Sequence, residues 1–386
     1  MAWTSNPTSF GSSSRLWEID DQHETAAISD NIGHVLGKPV IVPVRDGSDA
    51  PRWKAIFGNG YNSENGRAAL FVVDVADGTT QVILTNGSGD GPSNPNGLGN
   101  IVVTDQKIST AAAPSNNGRD GFADTVYAAD QKGAIWKFDL TSTAPLTQPL
   151  FTSQVGTDGR RQPIIGGLTA TAGVGNGVML FFGTGSFSFV GDAGDASVQS
   201  IYAINDRNPG AAIATTITAA DLFQRSIVTS GTNTRTISTG GSVGLHGWYL
   251  NLPAGERAVG YPRVASGVLF MPTYAPSTTD GCSTAGFNWL YGLNTRTGGP
   301  ALESVRFGST TGTTQGAGVG AVSLDTQGTA PVKEVGLTTL SRPAPPNPGD
   351  PVPPSDGCWM RISVAGMTQG MFVPYPCGRQ SWRQLQ

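Results

Sequence analysis

Short aromatic and apolar segments that end in Asp or Asn recur along this chain of 386 residues, and they constrain its fold more than any other feature. An Asp or Asn after a strand caps a turn by accepting a hydrogen bond from its own backbone, and a following Gly supplies a positive φ. The pattern therefore predicts strands that end in tight turns. The segments are LWEID from Leu16, LFVVD from Leu70, IWKFD from Ile135, IYAIN from Ile201 and WLYGLN from Trp289.

Other strands accompany most of these segments in a fixed order. A strand with Pro near its start, such as GKPVIVPV, comes first, and a strand that runs into Gly, such as KAIFGNG, comes second. The Asp-ended strand is third and an aromatic strand is fourth. Four antiparallel strands per unit are typical of a β-propeller blade. We predict four blades, over Lys38–Gly87, Gly99–Ser153, Gln162–Leu252 and Tyr261–Gly308.

The predicted fold class is all-β: a modified β-propeller built of four-stranded antiparallel blades with long loop insertions, notably about 211–247. The composition agrees, because 53 Gly, 26 Pro and only 13% charged residues favour short strands over charged amphipathic helices. The opening RLWEID would be the last strand of a blade whose other strands are missing. Ring closure is left open, and we expect a fragment of a longer secreted precursor.

The strand pattern stops after about Leu340, which divides the chain into three segments. Residues 1–340 hold the predicted blades. Residues 341–357 form a Pro-rich linker, because so many Pro residues favour an extended chain. Residues 358–386 are predicted to form a hairpin and a tail.

The three cysteines are Cys282, Cys358 and Cys377. Cys358 and Cys377 bracket the predicted hairpin, and we favour a disulfide between them. Cys282 would then be free or paired outside the chain. Sequence alone leaves all three single pairings open, and also a set of three unpaired cysteines.

Charge and hydropathy exclude several kinds of partner. The net charge of −4 argues against general nucleic-acid binding, which needs a basic surface. No apolar run is long enough to span a membrane, and the first ten residues do not resemble a signal peptide. Low charge and abundant Ser, Thr, Asn and Gly are typical of a protein outside the cytoplasm.

The stretch NNGRDGFADTVYAAD, from Asn116, places side-chain oxygens at even spacing. Calcium takes six to eight oxygen ligands, and an EF-hand-like loop supplies them at positions 1, 3, 5, 7 and 9 with a Gly at position 6. On this pattern the ligands are Asn116, Asp120, the Phe122 carbonyl and Asp124, with Gly121 at the sharp turn.

Three positions of this loop depart from the calcium pattern. Asn116 lacks the charge of the usual Asp, Gly118 offers no side-chain ligand, and Tyr127 stands where a bidentate Glu is usual. The residues therefore predict a weak calcium site completed by water. The alternative is a polar turn between two strands that binds no metal.

Catalytic constellations do not stand out in the sequence. The three histidines, His23, His34 and His246, show no metal-ligand spacing, and no Ser/His/Asp set can be proposed. The Gly-rich GTGSFSFVG lacks the Lys and the helix that a phosphate-binding loop needs. We therefore predict a protein that is not an enzyme.

In addition to the blade pattern, a series of ordered motifs resembles the C-terminal domain of the PilC/PilY family of type IV pilus tip-associated adhesins. The likeness covers most of residues 15–385. The motifs are FGNGYNSENG, ALFVVDVADG, NPNGL, DGFADTVYAADQKGAIWKFDL, RRQPI, LFFGTGSF, GWYLNLPAGER, NWLYGLNTRTGG and SWRQL.

This resemblance implies a modified β-propeller exposed at the pilus tip or the outer-membrane surface. It implies roles in pilus assembly, in opposing retraction, in adhesion and in twitching motility. The implied partners are pilins, minor pilins and host or surface receptors. The family's calcium pattern, D-x-[DN]-x-D-G-x-x-D, falls on Asn116, Gly118, Asp120 and Asp124, and the first two depart from it.

Two other functions remain open at this point. One is a propeller enzyme of the quinoprotein dehydrogenase type, which would hold a cofactor and a catalytic carboxylate at its centre. The other is a structural spacer that binds no metal.

Overall fold

The computed structural model describes residues 2–3, 14–45, 51–87, 89–106, 119–277, 286–324, 330–340, 358–365, 367 and 370–375. Within these ranges the chain forms 25 strands and one short α-helix, α1 (Ala26–Ser29), together with 3-10 turns at Val174–Asn176, Asp192–Gly194 and Ala219–Asp221. The predicted all-β class is confirmed. Helices in the described part of the chain fall short of what a bilayer crossing requires in length and apolar character.

Strands occur throughout the described ranges. In the first part of the chain they are β1 Ala2–Trp3, β2 Arg15–Trp17, β3 Val40–Val44, β4 Arg52–Gly58, β5 Ala69–Asp74, β6 Thr80–Leu84, β7 Leu98–Thr104, β8 Thr125–Asp130, β9 Ala134–Asp139, β10 Phe151–Thr152, β11 Leu168–Ala172, β12 Val178–Gly183 and β13 Ser200–Asp206. In the rest they are β14 Phe223–Arg225, β15 Ile227–Ser230, β16 Thr234–Ile237, β17 Gly247–Asn251, β18 Arg263–Ala265, β19 Val268–Pro276, β20 Gly286–Asn294, β21 Arg306–Phe307, β22 Val319–Leu324, β23 Val335–Leu340, β24 Cys358–Val364 and β25 Met371–Tyr375.

Asp and Asn side chains at the strand ends close the turns that the sequence predicts. Each accepts a hydrogen bond from the backbone N–H two residues further on, with donor–acceptor distances from 2.9 to 3.1 Å. In IYAIND the turn residue is Asp206, one position after the expected Asn205. The full set is Asp20, Asp74, Asp139, Asp206 and Asn294.

The chain divides into two compact units, residues 1–179 with 205–220 and residues 180–204 with 221–386. The first unit contains two four-stranded sheets, in the orders β3-β4-β5-β6 and β10-β9-β8-β7. All neighbouring strands in both sheets are antiparallel. These sheets match the first two predicted blades.

The two sheets of the first unit share one hydrophobic core. Ile56, Leu70 and Ile83 come from the first sheet, and Leu98 and Phe138 come from the second. The central strands β5 and β8 are buried at all six positions, which explains the unbroken apolar and aromatic runs ALFVV and VYAA before their final Asp residues. A strand that is covered on both faces does not need polar residues at alternate positions.

The later strands pair differently from the predicted third and fourth blades. One sheet has five strands, in the order β11-β12-β13-β17-β14, and another has six, in the order β15-β16-β22-β20-β19-β18. Residues 211–247, predicted to be a loop insertion of the third blade, contain strands β14, β15 and β16. The hairpin β15–β16 belongs to the six-stranded sheet, although the sequence placed it within Gln162–Leu252. Strand β22 lies beyond the expected end at Gly308. Local patterns identify strands, but they do not specify which distant strand will be the partner.

The last sheet has the order β21-β25-β24-β23, and it contains the predicted hairpin as the antiparallel pair β24–β25. Strand β23 pairs with β24, so this sheet combines residues on both sides of the predicted linker. Cys358 is disulfide-bonded. Residues 341–357, Cys282 and Cys377 lie outside the described residues, so the pairing of Cys358 with Cys377 stays a prediction.

Candidate functional site

The oxygen-rich loop joins β7 to β8, and the structure describes its second part, residues 119–124. Asn116 and Gly118 lie outside the described residues. Three of the four predicted ligands, Asp120, Phe122 and Asp124, are within the described part of the loop.

Asp120 is held by a backbone hydrogen bond and by an ion pair. Its Oδ1 accepts the N–H of Phe122 at 3.0 Å, which closes a tight turn. Its Oδ2 lies 3.2 Å from Nε of Arg45, and the Arg45 guanidinium lies 4.3 Å from the centre of the Phe122 ring. Both charged side chains are exposed, so the ion pair contributes little to stability.

Asp124 fixes the start of β8. Its two carboxylate oxygens lie 3.3 and 3.1 Å from the backbone nitrogen of Gln106, which donates to them. The Thr125 hydroxyl donates to Oδ1 at 2.8 Å. In this position Asp124 joins the two ends of the loop.

Asp105 is a third carboxylate of this loop, and the sequence reasoning missed it. Its Oδ1 accepts the N–H of Asp120 at 3.2 Å, and its Oδ2 accepts the N–H of Gly121 at 2.8 Å. Burial raises the pKa of the Asp105 carboxyl above its usual 3.8, although these two N–H donors oppose the shift. The sequence did contain a signal, because Asp105 follows the strand IVVT just as Asp ends the other recurring segments.

The described part of the loop fits a turn closed by hydrogen bonds. Asp105, Asp120 and Asp124 each accept a backbone N–H, which orients their carboxylates within the turn. Within the described residues, no group of three His, Cys, Asp or Glu side chains is arranged to hold a metal ion. These residues alone do not form a calcium cage, and the contribution of Asn116 stays a prediction.

The most specific motif of the sequence, DTVYAADQKGAIW, contains a buried carboxylate that joins β8 to β9. Asp130 is 1% exposed, and its Oδ1 accepts the N–H groups of Lys132 at 3.0 Å and Ala134 at 2.8 Å. Its Oδ2 accepts from Trp136 Nε1 at 2.8 Å and from the Asn96 side-chain amide at 3.0 Å. Burial raises the pKa of Asp130, and these donors oppose the shift. Asp130 therefore connects this motif to NPNGL.

A second buried polar group joins β8 and β9 to the end of β13 and the turn that follows it. Asp206 Oδ2 accepts from the Tyr127 hydroxyl at 2.8 Å and from Lys137 Nζ at 2.9 Å. Lys137 also donates to the Asn208 carbonyl at 2.8 Å. Burial and the nearby Asp206 carboxylate raise the pKa of Tyr127. The group holds a buried charge pair within the first unit.

The motif FGNGYNSENG is organised by Asn59, which is fully buried. Its side-chain amide donates to the carbonyls of Asn31 and Arg67, both at 2.8 Å. Its Oδ1 accepts the N–H groups of Ala69 and Leu98, both at 3.0 Å. A side chain with four such bonds is structural, and it fixes the loop that follows β4.

The sheets and these buried polar groups define a class: a β-propeller-type domain whose motif residues hold strands and loops together. A sequence profile described as the PilY1 beta-propeller domain matches residues 11–239, which is more than half of the chain. The chain belongs to this family, which confirms the resemblance found in the sequence.

Two proteins with similar sequences are named as type IV pilus biogenesis factors. A type IV pilus biogenesis factor PilY1 homolog of Xylella fastidiosa is 34% identical over 429 residues, covering 99% of this chain and 27% of that protein. The type IV pilus biogenesis factor PilY1 of Pseudomonas aeruginosa strain PAO1 is 28% identical over 336 residues, covering 74% of this chain and 27% of that protein. The chain spans about a quarter of the length of these relatives.

A solved structure has a similar fold. The crystal structure of the Pseudomonas aeruginosa PilY1 C-terminal domain superposes with a TM-score of 0.67 and 22% sequence identity. The match covers 94% of this chain and 75% of that one. This likeness supports the modified propeller fold independently of the sequence motifs.

Proposed function

We propose that this domain acts in type IV pilus biogenesis as a non-enzymatic component exposed at the pilus tip or the outer-membrane surface. The observation that carries the proposal is the 34% identity, over 99% of this chain, to a protein named as a type IV pilus biogenesis factor. The site geometry agrees, since the motif residues Asn59, Asp130 and Asp206 are hydrogen-bonded in structural positions. Its partners would be pilins and minor pilins, and adhesion to host or surface receptors would belong to the same role.

The test of this role is genetic complementation. A strain of the source bacterium that lacks the protein would receive the wild-type gene or a gene with Asp130→Ala, and an exposed Asp158→Ala variant serves as the matched control. We expect wild type and the control to restore surface pili and twitching, and Asp130→Ala to fail because its sheet is weakened. Normal piliation and twitching in the strain without the protein would contradict the proposal.

We further propose that the loop between β7 and β8 binds calcium weakly through Asn116, Asp120, the Phe122 carbonyl and Asp124, and that calcium tunes pilus extension and retraction. Support comes from Asp120 and Asp124, which lie on one loop at positions of the calcium pattern, and from the family resemblance. Binding would require Asp120 to leave Arg45, because one Oδ2 atom would otherwise serve both cations. Weak binding, with a dissociation constant on the order of 10⁻⁴–10⁻³ M, is expected for such an extracellular site.

Calorimetric titration with Ca²⁺ tests this part separately. The heat of titration should show saturable Ca²⁺ binding by the wild-type chain. Asp120→Asn and Asp124→Asn should each weaken or abolish this binding. Arg45→Gln should strengthen it, because the competing cation is removed, and Asp158→Asn should leave it unchanged. Equal curves for wild type and both loop variants, or flat curves for all, would show that the loop is only a turn.

A further inference from the structure

A large cavity of about 1030 Å³ lies in the first unit, and its described lining residues do not belong to the oxygen-rich loop. We propose that it binds an extended peptide segment that carries apolar side chains and a basic group. The volume is at the upper end of the range of about 300–1,000 Å³ that small-molecule pockets occupy.

The floor and one wall of the cavity are apolar. Ile41 of β3 and Ala55 and Phe57 of β4 line it from the sheet, and Trp17 and Ile32 line it from the preceding segment. Ile41 is 60% exposed. Apolar side chains of a bound segment would therefore remove this surface from water, which is the main source of affinity in such sites.

The rim of the cavity is acidic. Asp20, Asp21 and Glu64 line it, and among the described residues that do so there is no Lys or Arg. All three carboxylates belong to exposed residues. A ligand with a Lys or Arg side chain would meet complementary charge, and an acidic ligand would be repelled.

One acidic residue of the rim, Glu64, lies on a loop that hydrogen bonds hold in place. Glu64 and Asn62 lie five and three residues after Asn59, whose four side-chain hydrogen bonds are described above. The Asn65 amide donates to Oδ1 of Asn31 at 3.2 Å, which ties this loop to the segment before Ile32. Asn62 also has a positive φ of 61°, a conformation that Asn tolerates better than most residues. A fixed loop lowers the entropic cost of binding.

The position of β3 favours an extended peptide as the ligand. Within the described residues, β3 is the edge strand of its sheet and pairs with β4 alone. Pro39 and Ile41, before and within this strand, line the cavity. The Pro43 carbonyl on the outer edge of β3 accepts the Ala123 N–H at 2.9 Å, which leaves the Ile41 part of the edge beside the apolar pockets. An extended peptide can be recognised at such a place mainly through alternate side chains that enter the pockets.

Fluorescence anisotropy with two dye-labelled hexapeptides, KVTITK and EVTITE, tests the proposal on the 386-residue chain. KVTITK should bind saturably and EVTITE should not. The variant with Asp21→Lys and Glu64→Lys should bind KVTITK about fivefold more weakly or worse, since two exposed attractive charges become repulsive. Ile41→Glu should weaken binding at least about tenfold, because a charge would face the apolar floor. Asp158→Lys is the matched control and should bind as wild type does.

Salt provides a measurement that needs no variant. Raising the NaCl concentration to about 0.5 M should weaken KVTITK binding to the wild-type chain, because the rim charges are exposed and become screened. The proposal would be overturned if wild type bound KVTITK and EVTITE equally well, or if neither peptide bound saturably. It would also be overturned if the variant with Asp21→Lys and Glu64→Lys bound KVTITK as tightly as wild type does. Binding that persists in Ile41→Glu would place the peptide elsewhere and would also overturn it.

Discussion

At the scale of single residues, the Asp at the end of a buried strand performs two tasks. Asp74 closes its turn through the N–H of Ala76 at 2.9 Å, and its Oδ2 also lies 3.0 Å from Lys54 Nζ and 3.3 Å from Arg52 Nη1. Burial opposes ionisation of Asp74, but the hydrogen bonds and the nearby cations together hold its pKa below the usual 3.8. A local turn signal in the sequence thus also anchors β4 to β5.

We predict that Asp74→Ala lowers the free energy of unfolding at pH 7 by about 1–3 kcal/mol, because a charged hydrogen-bonded group is lost from a buried position. Since the folded-state pKa is depressed, the stabilisation by Asp74 is complete above pH 3.8 and is lost as the pH falls through the folded-state pKa. The difference between wild type and variant should therefore shrink in acid.

Urea unfolding of both proteins between neutral and acidic pH measures this difference. Asp158→Ala, which removes an exposed turn carboxylate, is the control and should change stability little. A difference that stays constant down to the lowest pH would contradict the assigned pKa direction.

At the scale of elements, the hairpin β15–β16 depends on a buried ion pair for its place in the six-stranded sheet. Arg235 of β16 is 6% exposed and Glu256 is 1% exposed, and Arg235 Nη1 lies 2.7 Å from Glu256 Oε2. The Thr273 hydroxyl donates to Glu256 Oε1 at 2.6 Å, and Arg235 also contacts the Tyr291 hydroxyl. The guanidinium lies 3.7 Å from the centre of the Trp289 ring. Polar and cation–π contacts thus join β16 to β19 and β20.

Arg235→Met should lower the free energy of unfolding by about 3–5 kcal/mol, because it leaves the Glu256 carboxylate buried without its partner. Adding Glu256→Gln to this variant should recover part of the loss, since the buried group is then neutral. Denaturant unfolding of the two single variants and the double variant completes a double-mutant cycle. Losses that simply add would show that Arg235 and Glu256 do not interact.

At the scale of the whole molecule, each compact unit contains a core to which more than one sheet contributes. In the first unit, Leu98 of β7 is fully buried in the cluster that also contains Ile56 of β4 and Leu70 of β5. In the second, Leu290 of β20 and Ile362 of β24 belong to one cluster. Sheets that share a core are expected to unfold together.

Leu98→Ala is predicted to lower the free energy of unfolding of the first unit by about 2–5 kcal/mol, because it leaves a cavity in a shared core. Hydrogen exchange should lose protection in β3–β6 and in β7–β10 alike. Val190→Ala is the control, because Val190 is fully exposed and its removal leaves no cavity. Loss of protection confined to β7–β10 would show that the two sheets are energetically independent.

The recurring apolar strands, their turns and the family could be predicted from the amino-acid sequence, whereas β14, β15 and β16 lie in a stretch that was predicted to be a loop insertion. Apolar runs such as ALFVVD, and Asp or Asn followed by Gly, act over a few neighbouring residues, so a single sequence reveals them. The same holds for the two blades of the first unit and for the C-terminal hairpin, whose strands pair with neighbours in the chain.

The three-dimensional structure was needed to establish the partners of β14, β15, β16 and β22, the role of Asp105, and the cavity beside β3. Each depends on contacts between residues that lie far apart in the chain, such as Arg235 with Glu256, or Asp105 with Gly121. The free energy of such a contact depends on burial and on the three-dimensional neighbours of both groups, and a local pattern of residue types does not contain that information.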